Sequence, residues 1–372
     1  MSKEVEASAF IQLLNSDKYN LVASVNTPWQ VKGVEAAIRY LSTTEKITPI
    51  IILREHGYTG RCVDKFSFSM EFQKCTFIYV KDWDFGERGE SILQQLNKVY
   101  RVLRNRNSRP LYVLNAGLID FRWISYLWRL FRKNTKYILL DDGIGGYTGY
   151  DSTDPLGNPN SLKGRMYHWC VDVLKKKKLL VDFRILTYGA RGLVKNNVAA
   201  EYYTKTLKKD LNLLAMKDLD AQFSDAVVIN TQCMAENNMV FHNEDTILYE
   251  KFSNLLKAYG QKIALKPHPR ELNLKKYEAF DWDICRDNTI TQEEMFASMT
   301  GQPKMVVSIF SSTLVNIQAL FGIRTVSLAK LFLKEDLPYE TQKAVQDFVN
   351  LFSNVMEMPE NEEELMRIMD TL

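Results

Sequence analysis

Tyr137-Ile-Leu-Leu-Asp-Asp-Gly143 compresses the deciding pattern of this chain: a short apolar run that ends abruptly in two carboxylates and a glycine. Two later stretches repeat the layout with different chemistry. Lys262-Ile-Ala-Leu-Lys266 runs into Pro267-His268-Pro269-Arg270, and Met305-Val-Val-Ser-Ile-Phe310 runs into Ser311-Ser312-Thr313. A short apolar run bounded by polar punctuation reads as a buried strand that delivers a loop. In open α/β sheets, ligands bind outside the carboxyl ends of the strands. A carboxylate pair, an imidazole and a hydroxyl cluster are thus delivered to the ligand-binding edge. That set suits a base, an acid and a phosphate cradle.

The surrounding sequence extends the pattern in both directions. Leu21-Val-Ala-Ser-Val25 reads as a strand, followed by Asn26-Thr27-Pro28 and a helix from Trp29 to Leu41. Thr27 suits the N-cap and Pro28 the first helical turn. Further strands are expected at 48–53, 75–80, 111–114 and 183–187, with helices at 90–103, 121–133 and 162–178. Residues 143–161 are rich in Gly, Asp, Asn, Ser and Pro, which reads as a long surface loop beside a site. Residues 197–220 read as helix and linker. The second half then restarts, with strands at 226–229, 262–266, 305–310 and 324–328 and helices at 245–259, 292–300 and 313–321. Pro359 and its acids open a last helix, where negative charge meets the positive end of the dipole. Such alternation predicts α/β architecture with parallel sheets: two Rossmann-like domains facing across a cleft, divided into 1–205 and 206–372.

Whole-chain numbers narrow the class. The chain has 372 residues, 46% hydrophobic and 25% charged, the composition of an ordinary globular protein with about two domains. No apolar run reaches the ~18 residues of a membrane-spanning helix, and the first residues lack a secretory pattern. Cys62, Cys75, Cys170, Cys233 and Cys285 contain no C-x-x-C pair, which argues against a zinc site or a disulfide framework. A cytoplasmic setting is expected. The net charge of +3 does not point to nucleic acid. Charge is uneven, however. Phe121–Lys133 mixes aromatics with cations, and Lys175–Lys178 is an unbroken basic run. Such segments suit either a solvated helix face or peripheral contact with an anionic inner-membrane surface.

Each motif admits a chemical and a structural reading. One of Asp141 and Asp142 can accept a proton from a substrate hydroxyl, and Gly143 permits close backbone approach. Adjacent acids in an extended segment point to opposite sides, so only one of the pair faces a given cleft. The structural alternative is a solvated turn. His268 stands between two prolines that fix its backbone, and Lys266 and Arg270 add positive charge suited to a phosphate. A rigid basic turn is the alternative. Ser311, Ser312 and Thr313 at a helix start can bind an anion or simply cap the helix. Glu293 or Glu294 can accept from ribose hydroxyls, or favour the start of their own helix. Asp141-Asp142 lacks D-x-D spacing, so no metal is expected at this motif.

The order and placement of these motifs resemble bacterial sialyltransferases, in particular the glycosyltransferase family 52 group that decorates lipooligosaccharide and capsule. Asp141-Asp142-Gly143, His268-Pro269 and Ser311-Ser312 match that group's three motifs, and Asn26-Thr27-Pro28-Trp29-Gln30 looks like its first strand-to-helix segment. The resemblance spans roughly residues 21–330. It implies a GT-B fold with an acceptor-side first domain and a CMP-donor-binding second domain. It implies an inverting enzyme that uses CMP-sialic acid without an essential metal or other cofactor. Asp141 would be the base, with Asp142 as alternative, and His268 would assist departure of CMP. The donor side would comprise Ser311, Ser312, Thr313, Lys266, Pro269, Glu293, Glu294, Asn230 and Thr231. Asn26, Thr27 and Gly143 would lie on the acceptor or sugar side. Expected partners are a nucleotide-sugar donor and a glycan acceptor, such as the terminal galactose of a lipopolysaccharide, lipooligosaccharide or capsule. Runner-up readings are transfer of Kdo or another nonulosonic acid from its CMP donor, and a nucleotide-sugar 2-epimerase. A non-catalytic scaffold would leave the pairing of acid and histidine unexplained.

Overall fold

Every side chain of β1 (Leu21–Val25) is buried, as a strand covered on both faces requires. A computed structural model of the chain describes residues 18–25, 27–54, 63–80, 112–115, 136–140, 183–185, 200–207, 213–235, 238–241, 243–268, 271, 273–278, 280, 282–285, 290–333 and 336–372. Two units divide the chain, Met1–Thr206 and Leu207–Leu372. The expected helices at 90–103, 121–133 and 162–178 and the loop at 143–161 lie outside the described residues. Among the described residues, no helix is long and apolar enough to cross a membrane.

In the first unit, β1 is followed by α1 (Pro28–Leu41), β2 (Pro49–Arg54), β3 (Thr76–Val80), β4 (Tyr112–Asn115), β5 (Lys136–Leu140), β6 (Phe183–Ile185) and α2 (Ala200–Leu207). The strands lie side by side in the order β3-β2-β1-β4-β5-β6, every neighbouring pair parallel. This is the doubly wound Rossmann order. Helix α1 begins as its sequence dictates: the Thr27 side chain accepts from the Gln30 N–H, and Pro28 occupies the first turn. Val31, Val34, Ile38 and Leu41 form its buried stripe. Gly33 lets the helix lie close to its neighbours, since a Cβ there would stand 3.1 Å from the Tyr203 hydroxyl and 3.5 Å from Leu140 Cβ. Trp29 stacks on Tyr203, ring centroids 5.2 Å apart. Glu35 is buried in the same helix, and its carboxylate accepts from the Ser69 N–H at 2.6 Å and the Ser69 hydroxyl at 2.9 Å.

The second unit contains α3 (Leu213–Phe223), β7 (Val227–Asn230), α4 (Glu244–Ala258), β8 (Ile263–Lys266), α5 (Lys275–Glu278), β9 (Asp283–Ile284), α6 (Gln292–Ser298), β10 (Met305–Ser308), α7 (Ser312–Phe321), β11 (Thr325–Ser327), α8 (Ala329–Phe332), α9 (Tyr339–Phe352) and α10 (Glu362–Met369). Its strands are ordered β11-β10-β7-β8-β9, again all parallel. The chain order turns back on itself between β7 and β10, as it does between β1 and β4 in the first unit. Gly322 ends α7 with φ of 67°, a left-handed conformation that glycine adopts without a Cβ penalty. The sequence reading places no element between Leu328 and Pro359, yet α8 and α9 fill it. Val345, Phe348, Val349 and Phe352 give α9 an apolar stripe at helical spacing. The strand expected over 305–310 stops at Ser308, because the Phe310 N–H is taken by a side chain described below.

Candidate functional site

The topological switch point of a doubly wound sheet is where a crevice opens outside the strand carboxyl ends. In the second unit that point lies between β7 and β10. β7 ends at Asn230 and continues into Thr231 and Gln232. β10 ends at Ser308 and continues into the N-terminus of α7. Strand β8, on the other flank of β7, ends at Lys266 and leads to His268. The Asn230–Lys266 pairing places those two residues side by side in the register. One sheet edge therefore carries the hydroxyl cluster, the β7 loop and the imidazole in adjacent positions.

Two bonds close the switch point. Gln232 Nε2 donates to Phe310 O at 3.1 Å, and the Phe310 N–H donates to Gln232 Oε1 at 3.2 Å. Beneath them, the Ser308 hydroxyl donates to Asn230 O at 2.8 Å and the Tyr249 hydroxyl to the same oxygen at 3.0 Å. Burial drives the Tyr249 phenol well above the ordinary tyrosine range, so it stays a donor at any working pH. This polar layer is buried and fixes where the loops leave the sheet.

Ser311 is the N-cap of α7, its Oγ accepting from the Thr313 N–H at 3.3 Å. Ser312 and Thr313 are the first two helical residues and are half-buried. The hydroxyl cluster thus divides, with Ser311 spent on the cap and Ser312 and Thr313 in the first turn. The Thr313 N–H is spent on the Ser311 hydroxyl and the Leu314 N–H on the Ser311 carbonyl, which leaves the positive dipole end and the Ser312 and Thr313 hydroxyls to meet an anion. That is an anion-binding geometry.

His268 is half-buried, and its carbonyl accepts from the Glu271 N–H at 2.9 Å. Lys266 is buried, with Nζ 3.9 Å from Cys285 Sγ, so its ammonium lies within the sheet edge rather than in open solvent. Asn230 is buried and donates through Nδ2 to Gln292 Oε1 at the start of α6. The Thr231 hydroxyl donates to Glu271 Oε2. Glu293 is buried, its Oε1 accepting from Asn316 Nδ2 on α7 at 2.8 Å. Glu294 forms a capping box with Thr291, accepting from the Thr291 N–H at 3.1 Å. The two acids thus tie α6 to α7 and start α6, respectively. Pro269 lies outside the described residues.

In the first unit, β5 ends at Leu140, directly before Asp141. Asp141, Asp142 and Gly143 themselves lie outside the described residues, as does Asn26. Thr27 is the α1 cap, and its hydroxyl is occupied by the Gln30 N–H at 3.3 Å. Among the described residues, no group of three or more His, Cys, Asp or Glu gathers to hold a metal ion. Sequence reasoning passed over Gln232, Tyr249, Glu271 and Asn316. Gln232 carried one usable signal, its place just past a strand end. The other three act across gaps in sequence that only folding closes.

Two Rossmann-like α/β units in one chain, each an all-parallel sheet with a switch point, give the GT-B fold. The chain belongs to the Alpha-2,8-polysialyltransferase (POLYST) family, whose model matches residues 21–330. That is a sialyltransferase family of glycosyltransferases, which agrees with the sequence reading at this level. The matching model is that of the polysialyltransferases rather than of family 52. No curated protein sequence matches the chain. Among solved structures, it is similar to the UDP-GlcNAc 2-epimerase from Methanocaldococcus jannaschii, at 12% identity and a TM-score of 0.47, covering 95% of this chain and 99% of that one. The UDP-GlcNAc 2-epimerase from Neisseria meningitidis, bound to UDP-GlcNAc, matches at 12% identity and a TM-score of 0.46 over 90% of each chain. A glycosyltransferase from Rickettsia africae ESF-5 matches at 13% identity and a TM-score of 0.41, covering 95% and 93%. Likenesses at this level carry no argument about activity.

Proposed function

We propose that this protein transfers sialic acid from CMP-sialic acid to a glycan hydroxyl, inverting the anomeric centre and needing no metal. The observation that carries the reading is the edge of the second sheet. A helix N-terminus bearing Ser312 and Thr313 stands across the switch point from Thr231 and Gln232, and His268 follows β8 on the other flank of β7. A phosphate at the start of α7 would meet the positive end of the helix dipole and the Ser312 and Thr313 hydroxyls. A protonated imidazole beside it would stabilise the charge that CMP gains as the glycosidic bond breaks. Asp141, one residue past β5, takes the acceptor proton, with Asp142 as the alternative. Base and leaving-group assistance would then act on the two bonds that change at one anomeric carbon.

The family name supports an α-2,8-linked sialic acid polymer as the product, with a sialylated capsule glycan as acceptor. The shared acid, His-Pro and Ser motifs support kinship with the family 52 enzymes, whose acceptors end in galactose. The reaction belongs to the cytoplasm, with the basic segments at Phe121–Lys133 and Lys175–Lys178 holding the enzyme against the inner membrane.

A donor-and-acceptor screen tests the reading. CMP-sialic acid, CMP-Kdo and UDP-GlcNAc are offered in excess EDTA with a sialylated and a galactose-terminated oligosaccharide. Sialyl transfer should occur from the first donor only, fastest to the sialylated acceptor, and Asp141→Asn should lower it at least ~10²-fold. Transfer that requires added Mg²⁺, or a severe loss confined to Asp142→Asn, would overturn those parts of the assignment.

A further inference from the structure

Glu271 is 2% exposed, and its side chain is sealed from solvent. Its carboxylate gathers three donors from two separate segments. The Thr231 hydroxyl reaches Oε2, while the Tyr277 hydroxyl and the Lys276 ammonium each reach Oε1 at 2.6 Å. Its backbone N–H donates to His268 O at 2.9 Å, which closes the turn that carries the histidine. The Thr231 N–H in turn donates to Lys266 O at 3.3 Å. The loop after β7 and the loop after β8 are therefore tied twice. One tie is backbone to backbone at the strand ends, and the other runs through the Glu271 carboxylate to a residue 40 positions away.

A buried ion pair is weak evidence for stability, since apolar replacements of similar volume are often neutral or stabilising. An apolar side chain could fill this space. It could not fix the direction of two loops at once, because dispersion contacts lack the directionality of three converging hydrogen bonds. The two loops so fixed carry Thr231 and His268, just past the carboxyl ends of the neighbouring strands β7 and β8.

We propose that Glu271 is a positioning residue: its carboxylate holds the His268 turn and the Thr231 loop in one fixed relation, so that the imidazole meets the donor phosphate. This rests on the role proposed above for His268. An imidazole misplaced by about 1 Å costs on the order of 10²-fold in rate.

The test is Glu271→Gln in the full chain. Glutamine keeps the shape but offers one acceptor oxygen where three donors converge, and it turns an amide toward one of them. The kcat for sialyl transfer should fall about 10- to 100-fold while the donor KM changes less than about threefold, the pattern of an interaction made in the transition state. The ¹⁵N imidazole signal of His268, identified by its loss in His268→Ala, should move in the donor-free protein. A kcat within about twofold of wild type, or an unmoved signal in a folded variant, overturns the proposal. Should Glu271→Gln fail to fold, Thr231→Val leaves the Tyr277 and Lys276 bonds in place and is read by the imidazole signal alone. A shifted signal supports the tie and an unchanged one refutes it. If the wild type transfers nothing from CMP-sialic acid, the functional reading fails, while the imidazole signal still decides whether Glu271 sets the His268 turn.

Discussion

Gln232 and Phe310 bridge the switch point of the second sheet through a pair of opposed hydrogen bonds, side-chain amide to backbone at 3.1 Å and backbone N–H to side-chain oxygen at 3.2 Å. One glutamine thereby satisfies both the donor and the acceptor of the residue that precedes the α7 cap. The start of α7 is placed by β7 as well as by its own strand, and a phosphate site there inherits that rigidity.

Gln232→Ala should accordingly weaken CMP binding about 10-fold and lower stability by about 1–2 kcal/mol, the scale of two half-buried hydrogen bonds. Isothermal titration with CMP and thermal melting read the two effects. A full stability loss with unchanged CMP affinity would show that the bridge serves the fold alone.

Ser311 and Ser312 should separate in the same pair of measurements. Ser311 is the cap, and its loss to alanine should cost about 1 kcal/mol. Ser312 lies inside the first turn, so Ser312→Ala should spare the melting point and weaken CMP binding. A melting point that falls equally in both variants would assign both hydroxyls to capping.

His268→Ala should reduce kcat far more than it raises the donor KM, because leaving-group assistance operates in the transition state. An artificial donor whose leaving group departs more easily should suffer a smaller loss. Equal losses on both donors would make His268 a binding residue.

Asp245 supplies a pH prediction. It is fully buried, and desolvation raises its pKa above the ordinary 3.8, with Lys276 pulling it down and Glu271 pushing it up. The folded state thus holds the Asp245 proton more tightly than the unfolded state does. The stability penalty is absent below the unfolded pKa, grows as pH rises above 3.8, and levels off beyond the folded pKa. Asp245→Asn should therefore melt higher than wild type at neutral pH, with the gap shrinking as the solution is acidified. A gap that widens toward acid would reverse the sign of the shift.

The sequence by itself determined β1, β7, β8 and β10 and the starts of α1 and α7, though not β9, α5, α8 or α9. Apolar runs such as Met305–Val307 and Leu21–Val25 have one low-energy fate, a strand buried on both faces, and Thr27-Pro28 or Ser311 can only begin a helix. Those signals are local, because hydrophobic period and capping chemistry act within a few residues. What tertiary structure alone decided is which polar side chains answer one another. Glu293 and Glu294 read alike in sequence, yet one is bonded to Asn316 on the next helix and the other turns back to its own cap. Lys266 read as positive charge suited to a phosphate, and the fold buries it against Cys285. Glu271 drew no reading from the sequence, and the fold brings it donors from Thr231 and Tyr277. The strand order explains the difference. It sets β7 between β8 and β10, residues that are tens of positions apart then share one edge, and a buried polar group must find its partner among whatever that order brings within reach.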